Sequence, residues 1–200
     1  LNPLTLLSDD PLAVAAVGAI QAGDIDTLET LLSDNRGLAT ARIENRSPKC
    51  AGSRSLLHIA TDWPGHFPNV ARTIDTLAAA GADVNARFVG RHAETPLHWA
   101  ASCNDLAALD ALLDLGADLE APGAVIAGGT PLADAVAFGQ WDAARRLIAR
   151  GAQANLWQAA ALGLMDRVEN CFARDPTPDP KEITKAFWLA CHGGQRTAAE

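Results

Sequence analysis

The sequence predicts an all-α chain assembled from repeated helix–turn–helix units. Three observations predict it. The stretch Glu94 to Ala121, ETPLHWAASCNDLAALDALLDLGADLEA, divides into two short helices and a turn, and pieces of it recur on both sides. Leu106, Leu109, Leu112 and Leu113 form one face of a helix, and Ile25, Leu28, Leu31 and Leu32 repeat the same spacing. Helix pairs this short are marginal in water by themselves, so like units must stack to bury their apolar faces.

Taken in order, residues 1–10 form a lead-in, with Leu4 to Leu7 read as a short helix. Pro11 starts a helix that runs to Ala22, and Gly23-Asp24 breaks it ahead of the Ile25 face. Residues 33–54 read as a long irregular connection containing Asn35, Gly37, Pro48 and Gly52. Ser55-Leu56-Leu57-His58-Ile59-Ala60 then matches Thr95-Pro96-Leu97-His98-Trp99-Ala100, and Gly81 to Ala86 matches Gly116 to Ala121. From Ala to Gly the first of these units is five residues longer, 60 to 81 against 100 to 116, and the excess falls at 62–69.

Thr130-Pro131-Leu132 opens the next unit, with Ala133 at the place of His98. Thr95 and Thr130 stand before Pro at helix starts, where a hydroxyl caps a backbone N–H. After Gly151 the next helix begins almost at once, at Trp157, so the turn between units has largely gone. Gly163, Met165, Val168, Cys171 and Phe172 complete a fifth unit, and Asp175 to Pro180 is a rigid loop. Ile183 to Ala190 begins a sixth unit with a break at Gly194, and Glu200 falls inside its expected second helix, so the sequence reads as truncated there. The expected organisation is a single domain over 1–200 with units at about 11–40, 54–88, 90–122, 125–155, 156–178 and 180–200, the last incomplete.

Composition narrows the partners. A net charge of −8 argues against nucleic acid, which draws on clustered Lys and Arg. Arg145, Arg146 and Arg150 read as a solvated helix face. Lys occurs only at 49, 181 and 185, which fits a bias of bacterial genome composition. Cysteines at 50, 103, 171 and 191 fit neither a zinc motif nor a disulfide framework, so reduced thiols in a cytoplasmic protein are expected. No run of 18 apolar residues is present to span a membrane, and Leu12 to Ile20 lacks the basic flank of a signal peptide.

The pattern resembles the ankyrin repeat. The residues that carry the resemblance are Thr95 to Ala101, Gly81 to Ala86, Gly116-Ala117-Asp118 and Thr130-Pro131-Leu132, strongest over 55–155. It implies an elongated, curved solenoid of about five to six helix pairs with loops projecting from one side. It also implies a module that binds another protein through loop tips and the concave face of the first helices, with no catalytic residues and no cofactor. Mapped onto that layout, the partner-binding residues are Asp62, Trp63, His66, Phe67, Arg91, His92, Glu94, Ser102, Cys103, Phe138 and Leu162. Two outcomes stay open for the insertion: Trp63 and Phe67 project toward a partner, or the loop folds back and buries them. Trp99, Trp157 and Trp188 are expected to pack between units.

Other chemistry is weaker. His58, Asp62 and His66 stand at i, i+4 and i+8, a metal-ligand spacing on a continuous helix, but Pro64-Gly65 breaks the helix first. The resemblance instead ties His58 and His98 into hydrogen bonds between neighbouring units. Cys103 and the pair Cys191-His192 lack a placed base and orienting group, so no nucleophile is assigned. The chain is therefore expected to bind a protein, to hold no metal and to be monomeric, unless the unfinished last unit self-associates.

Overall fold

The computed structural model describes residues 4–46, 51–126 and 128–200. Local signals set the helix ends. Asp10 accepts a hydrogen bond from the Leu12 N–H at 2.8 Å, Pro11 fills the first turn, and Gly23 closes α1 (Pro11–Ala22) at φ 65°. Asp24 caps α2 (Ile25–Asp34) by accepting from the Thr27 N–H at 3.1 Å. There follow α3 (Leu56–Ala60), α4 (Val70–Ala79), α5 (Pro96–Ser102), α6 (Leu106–Asp114), α7 (Pro131–Ala137), α8 (Trp141–Ala149), α9 (Leu156–Leu162), α10 (Met165–Phe172), α11 (Pro180–His192) and α12 (Arg196–Ala199).

The helices form two layers. In one, α1 packs on α3, α3 on α5, α5 on α7, α7 on α9, and α9 on α11; in the other, α2 packs on α4, α4 on α6, and α6 on α8. The core lies between the layers and holds Leu28, Leu57, Leu77, Leu97, Leu109, Leu112 and Leu147, all fully buried. Each such leucine contributes about 1.5–3 kcal/mol relative to exposure. Small residues bring the first layer close. Ala159, Ala160 and Ala161 of α9 are buried, and a Cβ on Gly193, just past α11, would lie 1.9 Å from the Ala161 carbonyl oxygen.

Two expectations are corrected. Leu4 to Leu7 is not helical: β1 (Thr5–Leu7) is a strand. The 33–54 segment is not an irregular connection throughout. It contains a 3-10 turn at Leu38–Thr40, then β2 (Arg42–Asn45) and β3 (Gly52–Ser55), and β2 pairs in parallel with β1 and antiparallel with β3. The stabilising contacts are remote in sequence. Leu6 and Ile43, paired across the sheet, bury their side chains, and Arg42 donates from Nε to Ser53 Oγ at 3.0 Å. Three- and four-residue strands of mixed polarity carry too little periodicity to be read in isolation. Cys50 lies outside the described residues. Among the described residues, no helix is long and apolar enough to cross a membrane.

Candidate functional site

The repeated histidines are structural. Thr95 N–H donates to His98 Nδ1 at 3.0 Å, so Nδ1 is the unprotonated nitrogen, and Nε2–H donates to the Gly129 carbonyl at 3.3 Å. His58 does the same with Ser55 N–H at 3.3 Å and the Glu94 carbonyl at 3.1 Å. Each imidazole therefore ties its own helix start to the loop that leads into the next helix pair. Protonating Nδ1 would break the first bond and charge a buried ring. Burial accordingly pushes His58 down to about 3 and His98 to about 4. With both ring nitrogens of His58 committed, the spacing of His58, Asp62 and His66 does not make a shared ligand set. Trp99 packs edge-on to His58 at 4.9 Å, between units as expected.

In α9, Gln158 takes the place of the histidine. Its Oε1 accepts from the Asn155 N–H at 2.9 Å, while Asn155 Oδ1 accepts from the Gln158 N–H at 3.1 Å. Sequence reading passed over this pair, although Asn155-Leu156-Trp157-Gln158 aligns with Thr95-Pro96-Leu97-His98.

The insertion docks on the neighbouring helix pair and leaves Trp63 outside. Asp62 O accepts from Gly65 N–H at 2.7 Å, which turns the chain. The His66 N–H donates to Asp105 Oδ2 at 2.6 Å, and its Nε2 donates to the Cys103 carbonyl at 3.1 Å. Gly65 has φ 74°, and a Cβ there would lie 2.8 Å from Cys103 Cβ, so the turn requires glycine on both counts. Asn69 Nδ2 donates to the Gly23 carbonyl at 2.9 Å, anchoring the far end of the loop to the preceding helix pair. Trp63 is 82% exposed and Phe67 half-buried.

The same line of contacts continues along the ends of the first-layer helices. Gln140 Nε2 donates to the Ser102 carbonyl at 3.0 Å, and Asn104 Oδ1 accepts from the Ala143 N–H at 2.9 Å. His192 packs edge-on to Trp141 at 5.2 Å. Trp63, Cys103 and Phe138 thus follow the ends of α3, α5 and α7, with Phe138 49% exposed. Cys103 is half-buried, and burial, reinforced by the Asp62 and Asp105 carboxylates, raises its thiol above the usual range.

The remaining site residues divide. Asp62 is ion-paired to Arg54 of β3, and burial raises its carboxyl despite that partner. Arg91 is exposed, and His92 and Ser102 are half-buried; Ser102 Oγ donates back to the Trp99 carbonyl at 2.9 Å. Glu94 and Leu162 lie out of a partner's reach at 8% and 9% exposure. Leu162 belongs to the core. The Glu94 carboxyl is raised by burial, opposed by the Trp99 ring N–H beside it. Trp188, expected inside, is 67% exposed on α11, and half-buried Trp157 carries Lys185 Nζ 4.0 Å above its ring.

One buried carboxyl was not anticipated. Asp134 in α7 is fully buried, and neither of its oxygens has a hydrogen-bond partner. Burial, then the nearby Glu94 charge, raise it to about 7; the Ile126 and Val125 N–H groups lie close enough to pull the other way without reaching hydrogen-bond geometry. It occupies the helix position held by Ile59 and Trp99 in the preceding units, which are apolar.

A family model described as ankyrin repeats (3 copies) matches residues 57–158. Among curated proteins, none matches the chain.

Proposed function

The chain belongs to the ankyrin repeat family, and from that premise we propose that it is a protein-binding module whose contact face carries Trp63, His66, Cys103 and Phe138. Ankyrin repeats generally serve as protein–protein interaction modules. The observation that carries this reading is Trp63, a large aromatic ring left 82% exposed on a loop held at both ends. An exposed indole is a typical interface anchor, because it offers a large contact area with only two side-chain torsions to fix on binding. Ser102 adds a polar group at the same helix ends, Arg91 and His92 offer a separate polar contact from the loop ahead of α5, and Asp62 and Phe67 shape the insertion loop.

We read the twelve described helices as six stacked pairs of one solenoid domain over 1–200, working in the cytoplasm without metal or cofactor and not as an enzyme. The test is capture of binding proteins from the source organism with the wild type and with Trp63→Ala and Phe138→Ala. Titration calorimetry of the captured partner then follows. Loss of affinity with unchanged thermal stability supports the reading. Equal affinity in all three proteins, or unfolding of the variants, removes it.

A second reading is self-association. Ile183, Phe187 and Trp188 leave α11 with exposure of 41%, 50% and 67%, and Phe172 of α10 is 44% exposed. An apolar patch of this kind can pair with a second copy. Light scattering across a concentration series gives a dimer mass if it does and a constant monomer mass if it does not.

A further inference from the structure

A second binding cleft lies where the turn between α8 and α9 is shortened. Residues 115–130 separate α6 from α7, but only 150–155 separate α8 from α9. The long loop before α7 therefore has no equal beside it. The space is bounded instead by α10, the loop that follows it and α11. A cavity of about 520 Å³ lies there, lined by Glu120, Trp157, Arg174 and Lys185 among others. It adjoins a second of about 510 Å³ that shares Gln153, Ala154, Asn155 and Arg174 and extends to Arg167 and Glu182.

Charge sets this cleft apart. Three cations, Arg167, Arg174 and Lys185, line it against two carboxylates, Glu120 and Glu182, in a chain of net charge −8. Both carboxylates are engaged with backbone: Glu120 accepts from the Gln153 N–H at 2.7 Å and Glu182 from the Asp179 N–H at 3.1 Å. Arg167 donates to the Ala152 carbonyl at 3.3 Å, and Lys185 lies over the Trp157 ring. Among the described residues, none of the three cations is within 4.0 Å of a carboxylate oxygen. By contrast, Arg146 and Arg150 on the second-layer face are both paired to Asp110.

We propose that this cleft binds an acidic peptide segment of a partner protein, with its carboxylates on Arg174 and Lys185. Guanidinium and ammonium groups match carboxylates in charge-assisted hydrogen bonds. Beside their own backbone contacts, Gln153 keeps its Oε1 as an acceptor and Asn155 its Nδ2 as a donor for a peptide backbone. A nucleic acid is disfavoured, because three cations beside two carboxylates cannot neutralise a phosphate backbone. The cleft is separate from the Trp63 loop, and the proposal stands or falls independently of it.

The test is fluorescence anisotropy with a labelled octapeptide of alternating Glu and Gly, its Gln counterpart, and an oligothymidylate of equal length. The Glu peptide is expected to bind, to weaken as salt is raised, and to lose about tenfold or more in affinity with R174Q/K185Q. Both of those side chains are exposed, so the fold is kept. R36Q, at an exposed position on the loop after α2, is expected to leave the affinity unchanged. Equal binding of the Gln peptide, full affinity of R174Q/K185Q, or tighter binding of the oligothymidylate overturns the proposal.

Discussion

Replacing Asp134 by Asn should convert a pH-dependent cost into a constant one. The carboxyl is fully buried without a hydrogen-bond partner and is raised from 3.8 to about 7. Between those values the folded chain binds the proton and the unfolded chain does not, so stability falls as pH rises. The group's contribution is fully present below about pH 4 and is lost as pH passes through about 7. At about 1.4 kcal/mol per unit, about 3 kcal/mol disappears between pH 5 and pH 8. His58 and His98 act in the opposite sense. Their folded values of about 3 and 4 lie below the usual 6.5, so their contribution is complete above about pH 6.5 and is lost as pH falls toward 3–4. In the wild type the two trends partly cancel. The measurement is urea unfolding of wild type and Asp134→Asn at pH 5 and pH 8. The variant should gain about 3 kcal/mol relative to wild type on going from the lower to the higher pH. A difference between the two proteins that stays the same at both pH values would refute the account of this carboxyl.

Two further substitutions probe the stack. His98→Ala removes the ring's hydrogen bonds to Thr95 and Gly129 and opens a cavity beside Gly129, so a loss of about 3 kcal/mol is expected in chemical denaturation. Gly193→Ala places a methyl group 1.9 Å from the Ala161 carbonyl oxygen, so α11 must move from α9 at a cost of about 1–3 kcal/mol, read as a lower melting temperature.

Local chemistry made much of the fold legible. Proline at a helix start, a capping carboxylate such as Asp10, Asp24 or Asp105, and leucines along one face lie within a few residues of each other, although the Thr130 hydroxyl, expected as a cap, makes no such bond. They place α1, α2, α5, α6 and α7 directly. The three strands are different, because Thr5 pairs with Arg42 and Arg42 with Ser55, and no local period marks them. Gln158 was obscured by the shortened turn, and Asp134 by its polarity, which reads as surface. The site was legible in outline only. Whether Trp63 projected or folded back depended on His66 meeting Asp105 and Cys103, a contact 37 to 39 residues away in sequence. Glu94 lies just outside a helix start, but the loop that carries it turns inward. Leu162 ends α9, which α11 covers closely. Trp188, on the first helix of its unit, is expected to pack between units, yet α11 turns Ala186 and Ala190 inward and leaves the indole outside.

The most direct test is an amide hydrogen-exchange footprint of the wild type with its captured partner. Protection is predicted at 62–66, at 102–104 and at 138–140, with Trp63→Ala abolishing it while the free array exchanges as before. Protection confined to the second-layer helices α4, α6 and α8 would contradict the account.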